Sequence, residues 1–357
     1  MKWMDAPMMT PQLRGTPEAD LRRVGAHPDH WYPLAWSDEL RPGKAVGREF
    51  AGAPIALYRG KGGKVFALED RCAHRQVPLH LGAVQGETLQ CGYHGWSYDC
   101  AGACVDVPYL GRSKLPNGVR SYPVREQDDL IFVFPGNPAL AAEREVPSPG
   151  KAADRRYRSR RLRRDVACHY SFMHENLFDM NHQFLHRRQM GLIKATCLDR
   201  RLGPDWCEVD YTFGRTGGSQ SLGEAAILGA VRPGINTKAR DLMTIRTNYP
   251  YQSLQVWVGG GEPVLDVWLG YTPIGKDQRR NHTFGFLSVK KAKWPLLTHM
   301  AWPFIAWFTE RIFREDKDIV EAEQAAWDAQ GHDRNNEVFP ALLDLRGLLR
   351  RNGVPLG

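Results

Sequence analysis

The sequence has little of what marks a small secreted domain. Its 357 residues include seven cysteines, an odd number and too few for a disulfide framework, so metal binding or simple burial is expected for them. The first residues, MKWMDAPMMTPQLRG, lack the unbroken apolar stretch of a secretory signal, and we therefore predict a cytoplasmic location. No apolar run approaches the roughly 20 residues that a membrane-spanning helix needs. Repeats and low-complexity tracts are also absent from the sequence.

The positive charge of the chain is concentrated in one short stretch. The net charge is +8, but seven arginines lie within residues 155–164, which contain no acid, and removing these seven leaves +1. This arginine strip alternates like a two-sided polar strand, so it could dock an acidic ferredoxin, line a subunit contact or simply be solvated. We do not predict nucleic-acid binding, because Tyr157 is the only aromatic residue in the strip that could stack on a base.

Changes in sequence texture divide the chain into two domains after an N-terminal segment. Residues 1–40 are predicted to form an irregular segment. Residues 41–152 contain β-like runs such as APIALYR, KVFALED and DLIFVF between Gly, Pro and Asp residues, which predicts a small all-β domain. Residues 153–357 combine longer strand-like runs with helical patterns near 170–188 and 309–329. Antiparallel strands with helices on one face give an α+β fold class.

Two loops of the all-β domain each contain one cysteine and one histidine. Cys72 and His74 lie in the first loop, and Cys91 and His94 follow in the second after a gap of sixteen residues. A zinc site is one alternative, but zinc fingers usually pair cysteine with cysteine and histidine with histidine. Mixed pairing fits a Rieske 2Fe-2S cluster better, with both cysteines on one iron and both histidines on the other.

These loops, CAHRQVPLHLG and CGYHGWSYD, resemble the Rieske domain of the non-haem iron ring-hydroxylating oxygenases. The resemblance covers about Trp31 to Pro135. Respiratory-chain Rieske proteins resemble each other in carrying two further cysteines in these loops and a serine just after the second His-Gly, where this chain has Val77, Tyr93 and Trp96. Fewer hydrogen bonds to the cluster sulfurs imply a lower reduction potential, as in the oxygenase group.

A second metal site is predicted in the segment HENLFDMNHQFLHRR. On a helix of 3.6 residues per turn, Asn176, Asp179, His182 and His186 fall within an arc of about 120° and share one face. Two histidines four residues apart can bind one metal ion from a single helix face. One carboxylate would complete a 2-His-1-carboxylate site, which leaves positions on ferrous iron open for dioxygen.

The missing carboxylate is sought in the last predicted helix. Asp316 lies within an apolar stripe, whereas Glu315 and Asp318 are predicted to point away from it. An acid on a buried face is costly without a partner, and a metal ion is a sufficient partner. We therefore predict His182, His186 and Asp316 as iron ligands and expect variants of Glu315 and Asp318 to keep most activity. The stripe consists of Ile312, Phe313, Ile319 and Val320.

The resemblance to the Rieske oxygenases extends to this region through an N-x-x-D-x-x-H motif and an E-D-K segment, which begin at Asn176 and Glu315. It implies a helix-grip catalytic domain that receives electrons from NAD(P)H through a reductase or ferredoxin, by way of the cluster, and inserts oxygen from dioxygen into a C–H bond. It also implies a head-to-tail homotrimer of the alpha-only type, in which Asp179 links His94 of one subunit to His182 of the next. Many members have four residues between the two histidines, whereas this chain has three.

An apolar segment, WPLLTHMAWPFIAWF at residues 294–308, precedes the last predicted helix. Its fifteen residues are too few to span a bilayer core of about 30 Å. It is interpreted as a cover of the substrate cavity in preference to a contact with a membrane interface, and either role implies an apolar or aromatic small-molecule substrate. Monooxygenation, dioxygenation and oxidative O- or N-demethylation share one oxidant, so the sequence does not separate them. A dedicated Rieske electron-transfer protein is the alternative from another class, and the second metal site argues against it.

Overall fold

The computed structural model of the protein describes residues 20–110, 117–218, 221–228 and 242–356. In the first part of this described chain the strands are short and antiparallel, as expected where turn residues recur every few positions. The strands are β1 (Val24–Gly25), β2 (Tyr32–Trp36), β3 (Lys44–Phe50), β4 (Ala53–Arg59), β5 (Val65–Glu69), β6 (Ala83–Gln85), β7 (Thr88–Gln90), β8 (Ser97–Tyr98), β9 (Cys104–Asp106), β10 (Ser121–Tyr122), β11 (Val124–Gln127) and β12 (Leu130–Val133).

Three small sheets build the all-β part. Within the described residues their strand orders are β10-β5-β4-β3, β11-β12-β2 and β6-β7-β8-β9. The last of these sheets carries the two Cys/His loops, and its core contains Cys72 and Cys91 packed with Leu79, Leu89 and Trp96. The predicted all-β character of this part of the chain is confirmed.

The N-terminal segment is more ordered than the sequence predicted. β2 is buried at all five positions and pairs with β12, with Tyr32 opposite Val133 and Trp36 opposite Leu130. An uninterrupted apolar run that contains proline gives a weak strand signal, which explains why this edge strand was missed. β1 instead pairs with a strand at the far end of the chain, through Val24 and Pro355. Residues 1–19 lie outside the described residues.

A single antiparallel sheet of seven strands dominates the described residues of the second domain. Its order is β13-β19-β18-β17-β16-β15-β14, and β13 pairs with β19 over ten residue pairs, from Tyr157 opposite Lys290 to Val166 opposite Asn281. The seven strands are β13 (Tyr157–Val166), β14 (Leu192–Leu202), β15 (Trp206–Gly217), β16 (Leu242–Asn248), β17 (Tyr251–Trp257), β18 (Leu265–Ile274) and β19 (Arg280–Lys290). The C-terminal β20 (Val354–Pro355) lies outside this sheet and pairs with β1.

Helices accompany this sheet, as the α+β helix-grip prediction requires, but their bounds differ from the predicted ones. The helix expected over 170–188 ends at Phe178, because Asp179 uses its carboxylate to accept a hydrogen bond from Asn181 N and begins a 3-10 helix at Met180–Phe184. The last predicted helix begins earlier and includes the apolar segment. The helices are α1 (Tyr170–Phe178), α2 (Arg187–Met190), α3 (Leu222–Leu228), α4 (Pro295–Gln330) and α5 (Pro340–Asn352).

A buried ion network anchors α1, the helix that leads into the histidine segment. The Glu175 carboxylate pairs with Arg22 from the N-terminal segment and with Arg346 from α5. Burial alone would raise the pKa of Glu175, but the two arginines outweigh it and lower that pKa below its ordinary value. Residues distant in sequence therefore fix the position of α1.

The arginine strip lies on β13, and its side chains alternate between two neighbours. Arg161 pairs with Asp38 at 2.7 Å and with Asp129 at 3.0 Å, and Arg163 pairs with Glu39. These acids belong to the all-β part. One face of the strip therefore joins the all-β part to the large sheet.

The other face of the strip contacts α4. Arg160 and Arg164 both pair with Glu310, at 3.0 and 2.6 Å. The sequence predicted docking, a subunit contact or solvation for this strip, and pairing within the chain was not among those alternatives. It was missed because the acids that bind these arginines lie far away in the sequence.

The apolar segment 294–308 forms the first half of α4. Six of its large apolar side chains are exposed in the described structure, and Trp307 lines a surface hollow with Arg311 and Arg314. The interpretation as a cover of the substrate cavity stays a prediction. Among the described residues, no helix combines the length and the apolarity needed to cross a membrane. The six exposed side chains are Trp294, Leu296, Leu297, Met300, Phe304 and Trp307.

Candidate metal centres

The first candidate centre lies where the two Cys/His loops meet. Cys72 and Cys91 are buried free cysteines, and the ring centroids of His74 and His94 are 4.6 Å apart. The second loop is closed by a hydrogen bond from Cys91 N to the Trp96 carbonyl at 2.8 Å. Two loops that each deliver one sulfur and one nitrogen therefore converge on one place.

The donor set of this centre fits a cluster with mixed ligands. His74 Nδ1 is buried without a hydrogen-bond partner, as expected of a nitrogen reserved for a metal. Burial raises the pKa of the Cys91 thiol, and the neighbouring Cys72 adds to that shift. Two adjacent buried sulfurs beside a pair of imidazoles are the ligand set of a Rieske 2Fe-2S cluster.

Tyr98, which the sequence did not single out, also contacts this centre. Its hydroxyl oxygen lies 3.2 Å from Cys72 Sγ and accepts a hydrogen bond from Ala73 N at 3.0 Å. Since that oxygen is already an acceptor, its own proton is free to be donated to the sulfur. The prediction that this cluster has few hydrogen bonds to sulfur therefore overlooked one donor, although Tyr98 stands in the GWSYD segment only four residues after His94.

The second candidate centre combines the histidine segment with α4. His182, His186 and Asp316 offer ligand atoms that all lie within 4.8 Å of one another. Asp316 Oδ1 is 3.5 Å from His182 Nε2 and 3.2 Å from His186 Nε2. His186 Nε2 and Asp316 Oδ1 are both buried without a hydrogen-bond partner. Two imidazole nitrogens and one carboxylate oxygen facing each other form a facial set that suits ferrous iron.

Each histidine of this centre is oriented through its other ring nitrogen. His182 Nδ1 donates to the backbone carbonyl of Asp179, and His186 Nδ1 donates to Glu315 Oε2 at 2.8 Å. Both Nε2 atoms are then left as lone-pair donors on the side of Asp316. Such outer hydrogen bonds fix the tautomer and the ring orientation of metal-binding histidines.

The sequence predicted that Glu315 points away from the interior, but in the structure its carboxylate faces His186. Its carboxylate bridges His186 and Gln189, which donates from Nε2 at 2.5 Å. The apolar stripe on α4 also differs from the predicted one, since Ile319 is exposed while Val320 is buried. Helix phase alone missed Glu315, because a side chain at the margin of the stripe can turn toward a neighbouring helix. Gln189, three residues after His186, is buried against the same carboxylate.

Asp179 and Asn176 lie close to this centre without joining its three ligands. The Asp179 carboxylate accepts hydrogen bonds from Asn181, and only its backbone carbonyl contacts His182. Asn176 lines a cavity of about 40 Å³ together with Asp316. The other walls of this cavity combine Arg164, Thr283 and Lys317 with a majority of apolar side chains, which include Leu162, Val166, Met173, Leu177, Tyr271 and Phe313.

Sequence families match both halves of this arrangement. A model of the Rieske [2Fe-2S] domain matches residues 30–123, and a model of the vanillate O-demethylase oxygenase C-terminal domain matches residues 166–342. The chain is 31% identical to a 4beta-methylsterol monooxygenase of Methylococcus capsulatus over 344 residues, which are 92% of this chain and 89% of that protein. This chain belongs to the Rieske non-haem iron oxygenases.

Other members of the Rieske oxygenases are similar to this chain in sequence and in structure. The oxygenase component of dicamba O-demethylase from Stenotrophomonas maltophilia is 37% identical over 61% of this chain and 63% of its own length. The crystal structure of dicamba monooxygenase bound to dicamba has a TM-score of 0.72 and 27% identity, and the match covers 91% of this chain and 97% of that one. The predicted α+β arrangement of a Rieske domain followed by a helix-grip domain is thereby confirmed.

Membership defines the general chemistry of the protein. It is an oxygenase that uses a Rieske 2Fe-2S cluster and a mononuclear iron and takes its electrons from a ferredoxin or a reductase. The alternative of a dedicated electron-transfer protein is not supported, because the matched catalytic domain and the facial set of His182, His186 and Asp316 accompany the Rieske domain.

Proposed function

We propose that this Rieske oxygenase hydroxylates a lipophilic small molecule, with electrons drawn from NAD(P)H through a reductase or ferredoxin. The observation that carries the proposal is the facial set of two histidines and Asp316 beside a cavity with mainly apolar walls. An apolar wall favours substrates that lose little hydration on entry.

The residues of the two centres have separate roles in this proposal. Cys72, Cys91, His74 and His94 would hold the cluster, and His182, His186 and Asp316 would hold the iron. When bound, the cluster supplies single electrons and the iron activates dioxygen. The side chains of this chain orient the ligands and exclude water. The Asp179 carbonyl keeps a proton on His182 Nδ1, and Asn176 is one of the polar residues, with Arg164 and Thr283, that line the mainly apolar cavity.

The proposed substrate class is a sterol-like lipid, and the proposed reaction is monooxygenation. The relative that matches 92% of this chain is named a 4beta-methylsterol monooxygenase, whereas the matched O-demethylase covers 61% of it. The apolar side chains of the cavity favour a hydrocarbon group next to the three metal ligands. Dioxygenation and a cytoplasmic location stay predictions from the sequence.

Turnover with labelled dioxygen tests this proposal. The purified holoenzyme, a surrogate reductase and NADH would be incubated with methylated sterols and, in parallel, with methoxybenzoates. We expect one labelled oxygen atom in a hydroxylated sterol. Formaldehyde release from the methoxybenzoates, with no product from sterols, would contradict the proposal and indicate a demethylase.

We further propose that the active assembly is a homotrimer in which the Asp179 carboxylate joins the cluster of one subunit to the iron of the next. Among the described residues the hydrogen-bond donor to this carboxylate is Asn181, which binds one of its two oxygens, so the other oxygen is available to a residue of another copy. Asp179→Asn keeps an oxygen for the contact with Asn181 N and is therefore a mild change. It should retain both metals and lose turnover, and a fully active monomer in native mass measurements would refute the assembly.

A further inference from the structure

One face of the first half of α4 is apolar and exposed. At 100° per residue, the side chains of this face fall within an arc of about 100°. From the first to the last, they extend about 16 Å along the helix axis. Each is between 56% and 69% exposed, and they are Leu296, Leu297, Met300, Phe304 and Trp307.

The exposure of this face is not the result of a loosely attached helix. On the opposite side of the same turns, Ile305 and Phe308 are buried and pack against Ile227 of α3 and Val289 of β19. Thr309 is also buried and bonds back to the Ile305 carbonyl at 2.8 Å. The helix is therefore held firmly by one side and presents the apolar face on the other.

The charges next to the two ends of this apolar face are positive, and the first exposed acid on the same side of α4, Asp318, lies one turn beyond Arg314. Residues 290–309 contain three lysines and no acid. Lys293 is exposed just before the helix begins, and Arg311 and Arg314 are exposed on the apolar face one turn beyond it. The Arg311 guanidinium lies over the Trp307 ring at 5.2 Å. The nearest acid in this part of the helix, Glu310, is already paired with Arg160 and Arg164.

We propose that this face of α4 rests on an anionic lipid bilayer, with its apolar side chains among the acyl chains and its cations at the headgroups. A firmly held apolar face with cations next to both of its ends is complementary to a surface that is apolar inside and negative outside. A second copy of this chain is the poorer partner. A two-fold contact between identical faces would bring Lys293 against Arg311 or Arg314, and like charges repel.

This contact extends the proposed function, since a lipid-like substrate resides in membranes, but it is measured without any turnover. The full-length holoenzyme would be mixed with phosphatidylcholine vesicles prepared with and without phosphatidylglycerol, and binding would be measured by flotation. We expect binding to the anionic vesicles, weaker binding to the neutral ones, and loss of the difference in high salt.

Variants locate the contact. The double variant Met300→Ser with Phe304→Ser should lower the affinity for anionic vesicles at least tenfold, because two large apolar side chains no longer insert. Arg311→Gln should lower it several-fold in low salt only. Val338→Ser and Lys61→Gln, at exposed positions elsewhere, are the matched controls and should bind like the parent.

The absorption spectrum of the Rieske cluster checks that each variant is folded. Absence of binding to anionic vesicles by the parent protein would overturn the proposal, and so would undiminished binding by the double variant. If the double variant instead lowers the native mass of the lipid-free protein, the face joins two copies of this chain and the lipid assignment is wrong. If the protein binds anionic vesicles but does not hydroxylate any lipid-like substrate, the proposed function is refuted and the membrane contact is not.

Discussion

The contact between Glu315 and His186 makes the sharpest prediction for the iron centre. Glu315→Ala removes the acceptor of His186 Nδ1 at 2.8 Å and also the partner of Gln189 Nε2. The imidazole can then rotate or change tautomer, so that Nε2 no longer points steadily toward Asp316. Loss of such an outer partner typically costs a factor of about 10 to 100 in metal affinity. This range equals about 1.4 to 2.7 kcal/mol of binding free energy.

The assay is an anaerobic titration of the iron-depleted mononuclear site with Co(II), in competition with a chelator, while absorption confirms that the Rieske cluster is intact. Glu315→Gln keeps one oxygen acceptor for His186 and should fall between the parent and the alanine variant. Asp318→Ala is the matched control, because Asp318 is exposed three residues further along α4. It should bind the metal as the parent does.

Equal affinities for the parent and Glu315→Ala would show that the carboxylate does not orient His186. Equal losses in Glu315→Ala and Asp318→Ala would point to a general effect of negative charge instead of a hydrogen bond. Only a loss confined to Glu315, with partial recovery in Glu315→Gln, supports the reasoning.

Three further predictions concern other parts of the protein. Asp316→Ala should abolish mononuclear iron binding and product formation while the electron paramagnetic resonance of the Rieske cluster persists, and iron retained at one equivalent would contradict the ligand assignment. Tyr98→Phe removes one hydrogen bond to the cluster ligand Cys72 and should lower the one-electron potential by about 20 to 65 mV in voltammetry, the equivalent of about 0.5 to 1.5 kcal/mol. Burial lowers the pKa of His174 from 6.5 to about 3, so the unfolded chain takes up a proton first and stability falls as the pH drops below 6.5. In urea titrations, the free energy of unfolding of His174→Gln should therefore fall by about 2 kcal/mol less than that of the parent between pH 6.5 and 5. Parallel pH profiles of the two proteins would refute this.

The two histidines of the histidine segment lie together, but not on the continuous helix that the prediction assumed. His182 and His186 were placed together by assuming one continuous helix, yet the helix ends at Phe178 and a 3-10 helix follows. The two rings still meet, with centroids 5.2 Å apart, because successive tight turns keep nearby residues on one side of the chain. Spacing in the sequence therefore predicts proximity more reliably than it predicts the element that produces it.

Contacts between segments that lie far apart in the sequence could not be predicted from it. Asp316 was identified because an acid within an apolar stripe is unusual at any distance from its partner. Glu315 and the acids that bind the arginine strip show no such local signal, since their roles arise only when α4 and the all-β part pack against β13. Tyr98 lies between these cases, because it is close to His94 in the sequence but its hydroxyl reaches the other loop.

The position of β13 at the border of its sheet gives the arginine strip one more consequence. A border strand offers unpaired backbone groups to any other extended chain, and proteins commonly protect such strands with charged side chains. Here Arg160, Arg161, Arg163 and Arg164 are held in place by ion pairs on both faces. An incoming strand would have to lie beside a row of fixed positive charges and displace their acidic partners. The arginines that join the two domains therefore also disfavour the pairing of a further strand with β13, and with it aggregation through this edge of the sheet.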